Sequence, residues 1–298
     1  MSKILITGAD GFTGRHLVTR LQSAGHEVHA LVRGTSAVNI DGANAVHTAE
    51  LADFAGIATI VRHVCPDKVV HLAGIAFINH GDITEIYNTN LIGTRNLLEA
   101  LAQNNAPLES ILLASSANVY GNKVNGTLDE TTPPAPSNDY AVSKLAMEYM
   151  ARLYESRLPI VITRPFNTIG VGQSDSFLIP KIISHTRKRA TLIELGNLDV
   201  ARDFSDVRIV VQLYQRLLDT PAAVGQTFNV CSGKAWKLIE VLAKVREISG
   251  HNFEIRVNPD FVRVNEVKTL LGSRVKLDAA VGVVPEITLQ DTLRWMLE

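Results

Sequence analysis

The sequence predicts a doubly wound parallel α/β fold followed by a smaller mixed α/β C-terminal lobe, on three observations. Short unbroken apolar runs alternate with amphipathic stretches through residue 167. The first such run ends at Thr7 in a glycine-rich turn. Beyond Asn167 the rhythm breaks into mixed helices and short strands. Strands covered on both faces read as continuous apolar runs, and right-handed crossovers between them wind the sheet in both directions.

In chain order, residues 3–7 form the first strand. Residues 12–24 carry Leu17, Val18 and Leu21 on one helical face and stop at Gly25. A strand over 26–32 follows, then a weak strand over 45–48 and a helix over 51–64 halted by Cys65-Pro66. Residues 68–73 read as a buried strand, 84–103 as a long helix and 110–115 as another strand. Gly, Pro, Thr and Asn make 121–137 a surface loop, ahead of a helix over 137–156 and a strand over 159–164. The C-terminal lobe is expected to hold helices over 177–189, 205–218 and 237–248, with strands over 192–195, 227–230 and 253–257.

The chain has 298 residues, 46% hydrophobic and 20% charged. That is an ordinary globular composition, with room for one large or two moderate domains and a core that needs no disulfide. Twenty-nine basic residues balance thirty acidic ones, so no charge excess points to nucleic acid. Cys65 and Cys231 stand apart without metal-ligand spacing, so neither a disulfide framework nor a metal site is expected. No apolar run reaches the roughly 18 residues of a membrane span, and the N-terminal residues have no leader pattern. A cytoplasmic protein with no membrane partner is the expectation.

Thr7-Gly8-Ala9-Asp10-Gly11-Phe12-Thr13-Gly14 gives G-x-x-G-x-x-G between the first strand and the first helix. Glycines allow a sharp turn and let a pyrophosphate approach the helix N-terminus, where free N–H groups and the positive dipole end meet it. A glycine turn without a ligand is the alternative; the strand–turn–helix setting favours a dinucleotide. Gly8, Asp10, Gly11, Phe12 and Thr13 are then its candidate contacts. The second strand ends Leu31-Val32-Arg33-Gly34-Thr35-Ser36, where an acidic residue would bind a ribose 2′-hydroxyl. Arg33 can instead fork onto a 2′-phosphate, which favours NADP(H) and leaves NAD(H) open; a solvated surface arginine is the other reading.

Tyr140 and Lys144 stand at i and i+4 on a predicted helix, hence on one face. A phenol titrates near ~10, and a fixed cation one turn away is expected to lower that value and make it a usable acid or base. Chance also supplies such pairs on helix surfaces. Ser115-Ser116 tips the balance, because it begins where the apolar strand ends, at the carboxyl edge where ligands of such sheets bind.

At these residues the sequence resembles the extended short-chain dehydrogenase/reductases that act on nucleotide-diphosphate sugars. The matching motifs are Thr7-Gly-x-x-Gly-x-x-Gly14, His71-Leu-Ala-Gly74, Asn90-Leu-Ile-Gly-Thr94, Ser115-Ser-x-x-Val-Tyr-Gly121, Tyr140-x-x-x-Lys144 and Arg164-Pro-Phe-Asn167. The resemblance implies a Rossmann domain over 1–167, its sheet completed by segments from 200–232, and a substrate lobe over 168–298. It implies that Ser116 supplies the catalytic hydroxyl, that Tyr140 is the general acid, and that Lys144 tunes it and binds the nicotinamide ribose. Glu50-Leu51 would lie beside adenine, where the family usually has Asp-Leu. Leu72, Ala73 and Gly74 would line the dinucleotide. Relatives commonly pair through the helices over 84–103 and 137–156, so a homodimer is implied.

Gly196-Asn-Leu-Asp-Val-Ala-Arg-Asp-Phe-Ser-Asp-Val207, Asn229-Val-Cys-Ser-Gly233 and Arg263-x-x-Glu266-Val267 are similar to the GDP-4-keto-6-deoxy-D-mannose reductases and GDP-mannose dehydratases. That likeness implies Arg202 and Arg263 on the substrate diphosphate, Asn167 on a phosphate or sugar oxygen, and Glu266 on the nucleoside ribose. Each arginine taken singly also fits a surface ion pair. Asp203 and Asp206 are expected to cap the following helix. Dehydratases of the family carry an acid two positions after the catalytic hydroxyl, where this chain has Ala117-Asn118. The expected activity is therefore NADPH-dependent reduction at C4 of a GDP-4-keto-6-deoxyhexose. A 4-epimerase with tightly held NAD, and a dinucleotide-binding protein that has lost its chemistry, are the alternatives.

Overall fold

The computed structural model describes residues 1–34, 39–76, 82–104, 106–122, 126–262 and 268–298. The first part of the chain runs β1 (Lys3–Thr7), α1 (Phe12–Ser23), β2 (Glu27–Val32), β3 (Ala45–Thr48), α2 (Phe54–Val64) and β4 (Lys68–His71). It continues with α3 (Ile83–Tyr87), a π-helical segment (Asn88–Gly93), α4 (Thr94–Gln103), β5 (Ser110–Ala114), β6 (Thr127–Leu128) and α5 (Asp139–Arg152). Next come β7 (Ile160–Pro165), β8 (Asn167–Ile169), α6 (Leu178–Arg187), β9 (Leu192–Leu195), β10 (Ala201–Asp206) and α7 (Val207–Leu218). The last elements are β11 (Thr227–Val230), β12 (Ala235–Lys237), α8 (Leu238–Ser249), β13 (Glu254–Val257), β14 (Thr269–Gly272), α9 (Val275–Val281) and α10 (Leu289–Leu297).

Seven strands form one sheet in the order β11-β7-β5-β4-β1-β2-β3. Every pairing in it is parallel. The order reverses between β1 and β4, which opens a crevice at their carboxyl ends, where this architecture takes ligands. Alternation along β1 explains the layers: Ile4 and Ile6 pack toward α1 and α7, whereas Leu5 packs toward α2, α4 and α5. Each of these side chains is at most 1% exposed, so the sheet is covered on both faces.

In the C-terminal part, β12-β10-β14-β6 form a mixed sheet with β8 added to β10, and β13 pairs with β9. Helices α6, α8 and α10 close a separate core around Ile182, Ile193, Val241 and Leu293. The lobe is fastened to the start of α1, where His16 Nε2 lies 2.9 Å from the Val171 carbonyl and the His16 ring meets Trp295 edge-on.

Several predicted boundaries move, each for a local reason. The helix expected over 51–64 starts at Phe54, because the Asp53 side chain caps it by accepting from the Gly56 N–H. Asn138 sets the start of α5 in the same way. The strand expected over 68–73 ends at His71, where the chain crosses the glycine turn. The helix expected over 205–218 begins at Val207, since Ser205 and Asp206 finish β10. The long helix over 84–103 is interrupted by one π-helical stretch.

Candidate active site

The turn after β1 has the shape expected of a phosphate cradle. Gly8 sits at φ +67°, and a Cβ there would lie 2.7 Å from the Ala73 nitrogen. A Cβ on Gly14 would lie 2.2 Å from the Gly8 carbonyl oxygen, so any side chain would lift α1 off the turn. Gly11 precedes α1 without a side-chain cap, and the first turn of the helix holds no acid. The N–H groups and dipole of a twelve-residue helix are thus available to an anion at this point. Among the described residues these features fit a dinucleotide pyrophosphate. Asp10 and Gly11 are exposed at the turn, while Phe12 and Thr13 are half-buried in the first helical turn. Thr7 Oγ1 accepts from the Ala73 N–H at 3.2 Å and bonds His71 Nδ1 at 2.7 Å, which holds 72–74 against the cradle.

The two other cofactor-side expectations fall on different kinds of surface. Arg33 follows β2 with its side chain two-thirds exposed, and its Nη1 donates to Glu85 Oε1 at 2.9 Å. Thr35 and Ser36 lie outside the described residues. Leu51 is packed into the core against Gly93, its carbonyl accepting from the Asn96 amide at 2.9 Å, while Glu50 is exposed.

Ser116, Tyr140 and Lys144 come together at the carboxyl end of β5. Ser116 leaves the strand and its Oγ accepts from the Asn118 N–H, starting a short 3-10 turn. The Ser116 hydroxyl stands close enough to the Tyr140 phenol to pull its titration down. Lys144 is buried, and its Nζ donates to the Ala114 carbonyl at 2.9 Å. A Cβ on Gly74 would stand 3.1 Å from that Nζ, so the ammonium faces the Leu72-Ala73-Gly74 segment. The electrostatics correct one expectation. Tyr140 is held above the ordinary phenol value, because burial outweighs the downward pull of the Ser116 hydroxyl. Lys144 spends its hydrogen bond on Ala114 rather than on the phenol. Burial instead lowers the ammonium to about 8, against an upward pull from Glu148. The tyrosine is therefore kept protonated, the form a proton donor needs.

A polar network behind these groups was not read from the sequence. Asn90, inside the π-helical segment and fully buried, accepts from the Ile75 N–H at 2.8 Å and donates to Ser143 Oγ at 3.0 Å. It ties the segment after β4 to the helix of Tyr140. Glu148 accepts from Ser115 Oγ and from two nitrogens of Arg164. Arg164 also donates to the Tyr120 hydroxyl, which donates to Asn229. A signal existed: Glu148 lies one turn beyond Lys144 on the same buried face, and a buried carboxylate needs a cation.

Of the residues expected to meet substrate, Asn167 donates from Nδ2 to the Asp203 carbonyl at 3.1 Å, because β8 pairs with β10. The Arg202 guanidinium donates to the Ala201 and Lys268 carbonyls. Arg263 and Glu266 lie outside the described residues. Asp206 caps α7 as expected, accepting from the Arg208 N–H. Asp203 does not: it lies within β10, and its carboxylate accepts from Ser232 N–H and Oγ and from the Gly233 N–H. Its role is to anchor the turn after β11. Among the described residues, no group of three or more His, Cys, Asp or Glu could hold a metal ion, and no helix is long and apolar enough to cross a membrane.

Comparison with known proteins agrees with this geometry. GDP-6-deoxy-D-talose 4-dehydrogenase of Aggregatibacter actinomycetemcomitans is 33% identical over 94% of this chain and 91% of its own. GDP-6-deoxy-D-mannose reductase of Pseudomonas aeruginosa is 34% identical over 99% of this chain and 96% of its own. Among solved structures, RMD from Pseudomonas aeruginosa complexed with NADPH superposes with a TM-score of 0.86 at 32% identity, covering 100% of this chain and 98% of that one. A candidate epimerase from Burkholderia cenocepacia J2315 superposes with a TM-score of 0.93 at 49% identity, covering 99% and 96%. Residues 4–231 match the family model described as the NAD dependent epimerase/dehydratase family. A glycine cradle uncapped for phosphate, a serine–tyrosine pair at the sheet edge and a match across most of the chain lead to one assignment: this chain belongs to the NAD dependent epimerase/dehydratase family.

Proposed function

We propose that this protein reduces the C4 keto group of a GDP-linked 4-keto-6-deoxyhexose with NADPH, giving GDP-D-rhamnose or its 4-epimer. The observation that carries the reading is the Ser116 hydroxyl beside the Tyr140 phenol at the carboxyl end of β5, next to a buried lysine that faces the Leu72-Ala73-Gly74 segment. Two relatives covering almost the whole chain are named for oxidation or reduction of GDP-6-deoxyhexoses, and one solved neighbour holds NADPH. When bound, the reduced nicotinamide supplies the hydride. Tyr140 gives its phenolic proton to the oxygen developing at C4, and Ser116 donates a hydrogen bond to that oxygen. Lys144 holds the nicotinamide ribose and sets the local positive charge. The uncapped start of α1 holds the pyrophosphate, Arg33 takes the 2′-phosphate, and Glu50 with Leu51 borders adenine. Asn167, Arg202, Arg263 and Glu266 form the nucleotide-sugar side. Neither Ala117 nor Asn118 can serve as an acid or base, which disfavours dehydration.

The reading includes a homodimer formed through α3, α4 and α5. Val142 and Tyr149 stand at i and i+7 on one exposed face of α5, Leu153 continues it at the helix's C-cap, and Ile92 is also exposed on the π-helical segment. It also includes a cytoplasmic location, where reduced nicotinamides and nucleotide sugars are held.

The test is a panel of 4-keto-6-deoxyhexoses linked to GDP, UDP and dTDP, each with NADPH or NADH, read by loss of reduced-nicotinamide absorbance and product NMR. The expected result is NADPH consumption with the GDP sugar and a single C4 configuration. Interconversion of C4 epimers by enzyme purified with bound NAD, without added NADPH, would replace reduction by epimerisation. Cofactor binding without turnover of any sugar would leave a binding protein only.

A further inference from the structure

The reading of Arg33 as the 2′-phosphate ligand meets a competitor already in place. Glu85, in the first turn of α3, accepts from Arg33 Nη1 at 2.9 Å. The side chains are 66% and 51% exposed, so neither is needed for packing and the pair can open. Asp82 caps α3 by accepting from the Thr84 N–H at 2.8 Å, which fixes the turn that presents Glu85 to Arg33.

We propose that Glu85 is a specificity-determining residue that restrains the preference for NADPH over NADH by holding Nη1 of the Arg33 guanidinium. The proposal rests on the Arg33 reading above. Glu85 holds Nη1 alone, and a phosphate that takes the end-on fork of Nη1 and Nη2 needs that same nitrogen. In that approach a 2′-phosphate displaces Glu85 from Nη1 and then stands beside its negative charge. A 2′-hydroxyl carries no charge and meets neither cost. Glu85 thus acts on the phosphorylated cofactor alone. An exposed pair is weak and the site is solvated, so the effect is a tuning of about three- to tenfold rather than a switch.

The test measures NADPH and NADH dissociation constants by calorimetry for the wild type, Glu85→Gln, Arg33→Gln and the double variant. Both positions are exposed, so the variants are expected to fold, and binding is read without turnover. Glu85→Gln should tighten NADPH about three- to tenfold and leave NADH within about twofold. Arg33→Gln should weaken NADPH selectively and abolish the gain in the double variant. If Arg33→Gln leaves NADPH affinity unchanged, the Arg33 reading itself fails. If Arg33→Gln weakens NADPH but Glu85→Gln does not tighten it, only the role of Glu85 is overturned. A gain that persists without Arg33 also overturns it, by showing general charge repulsion in place of competition.

Discussion

Arg164 grips Glu148 with two hydrogen bonds, Nε to Oε1 at 2.9 Å and Nη2 to Oε2 at 2.6 Å, and both side chains are almost wholly shielded from water. Ser115 and Tyr120 complete the cluster, so a charge pair under the sheet edge joins α5, β5 and β7. Every member lies close in sequence to a proposed site residue: Ser115 precedes Ser116, and Glu148 follows Lys144 by one turn.

Breaking this pair from one side leaves the other charge buried alone. Glu148→Met or Arg164→Met should each cost about 3–5 kcal/mol in urea unfolding. The double variant Glu148→Met/Arg164→Met should lose clearly less than the sum, because no uncompensated charge remains. Additive losses would show that the two side chains do not stabilise each other.

Removing the Tyr140 hydroxyl takes away the proposed proton donor and little else. Tyr140→Phe should keep the fold and NADPH affinity within about twofold, while turnover falls about 10²–10⁴-fold. Full activity in this variant would remove the assignment of the phenol as acid. Loss of cofactor binding would show that the ring is needed for the pocket instead.

What the sequence discloses here depends on whether a signal is local. The strands 3–7, 45–48, 192–195 and 227–230 coincide with β1, β3, β9 and β11, since short apolar runs between turn residues carry their own boundaries. Ser116, Tyr140 and Lys144 were legible because strand end and helical spacing are both local. The direction of the Lys144 ammonium was not, because the Ala114 carbonyl that takes it belongs to a strand thirty residues earlier. Strand β10 is hidden for a related reason. Arg202, Asp203 and Ser205 are polar, and they form a strand only because β8, β12 and β14 supply partners. Asp203 looks like a cap by residue type, and only the return of the chain at Ser232 and Gly233 gives it another role.

His71 should make the fold acid-sensitive. Burial and the nearby Lys144 charge lower it to about 3, and its two nitrogens lie 2.7 Å from Thr7 Oγ1 and 2.8 Å from Thr94 Oγ1. Between pH ~6.5 and ~3 the unfolded chain binds a proton there and the folded chain does not. Stability is therefore lost as pH falls through that window, by about 1.4 kcal/mol per pH unit. His71→Gln should be less stable at neutral pH yet show a shallower decline on acidification, read from urea midpoints at fixed m-value. An unchanged slope would mean that another group carries the acid sensitivity.

The exposed face of α5 should hold the dimer. Leu153 is 78% exposed and Tyr149 57%, one helical turn apart, so neither contributes much to the fold of one copy. Tyr149→Asp/Leu153→Asp should sediment as a monomer with a melting temperature close to that of the parent at low protein concentration. A dimer that survives both charges must use another surface.

Lys144 gives turnover an alkaline limb. Its ammonium titrates at about 8 because burial lowers it and Glu148 only partly restores it, so the cation is present below that pH and lost above it. If the cation is needed for proton donation and ribose binding, kcat/KM should fall about tenfold per pH unit above the limb. Lys144→Arg keeps the charge at every accessible pH and should show a lower but flat profile through this range. A limb that stays near pH 8 in the arginine variant would assign it to another group and leave the lysine with a binding role alone.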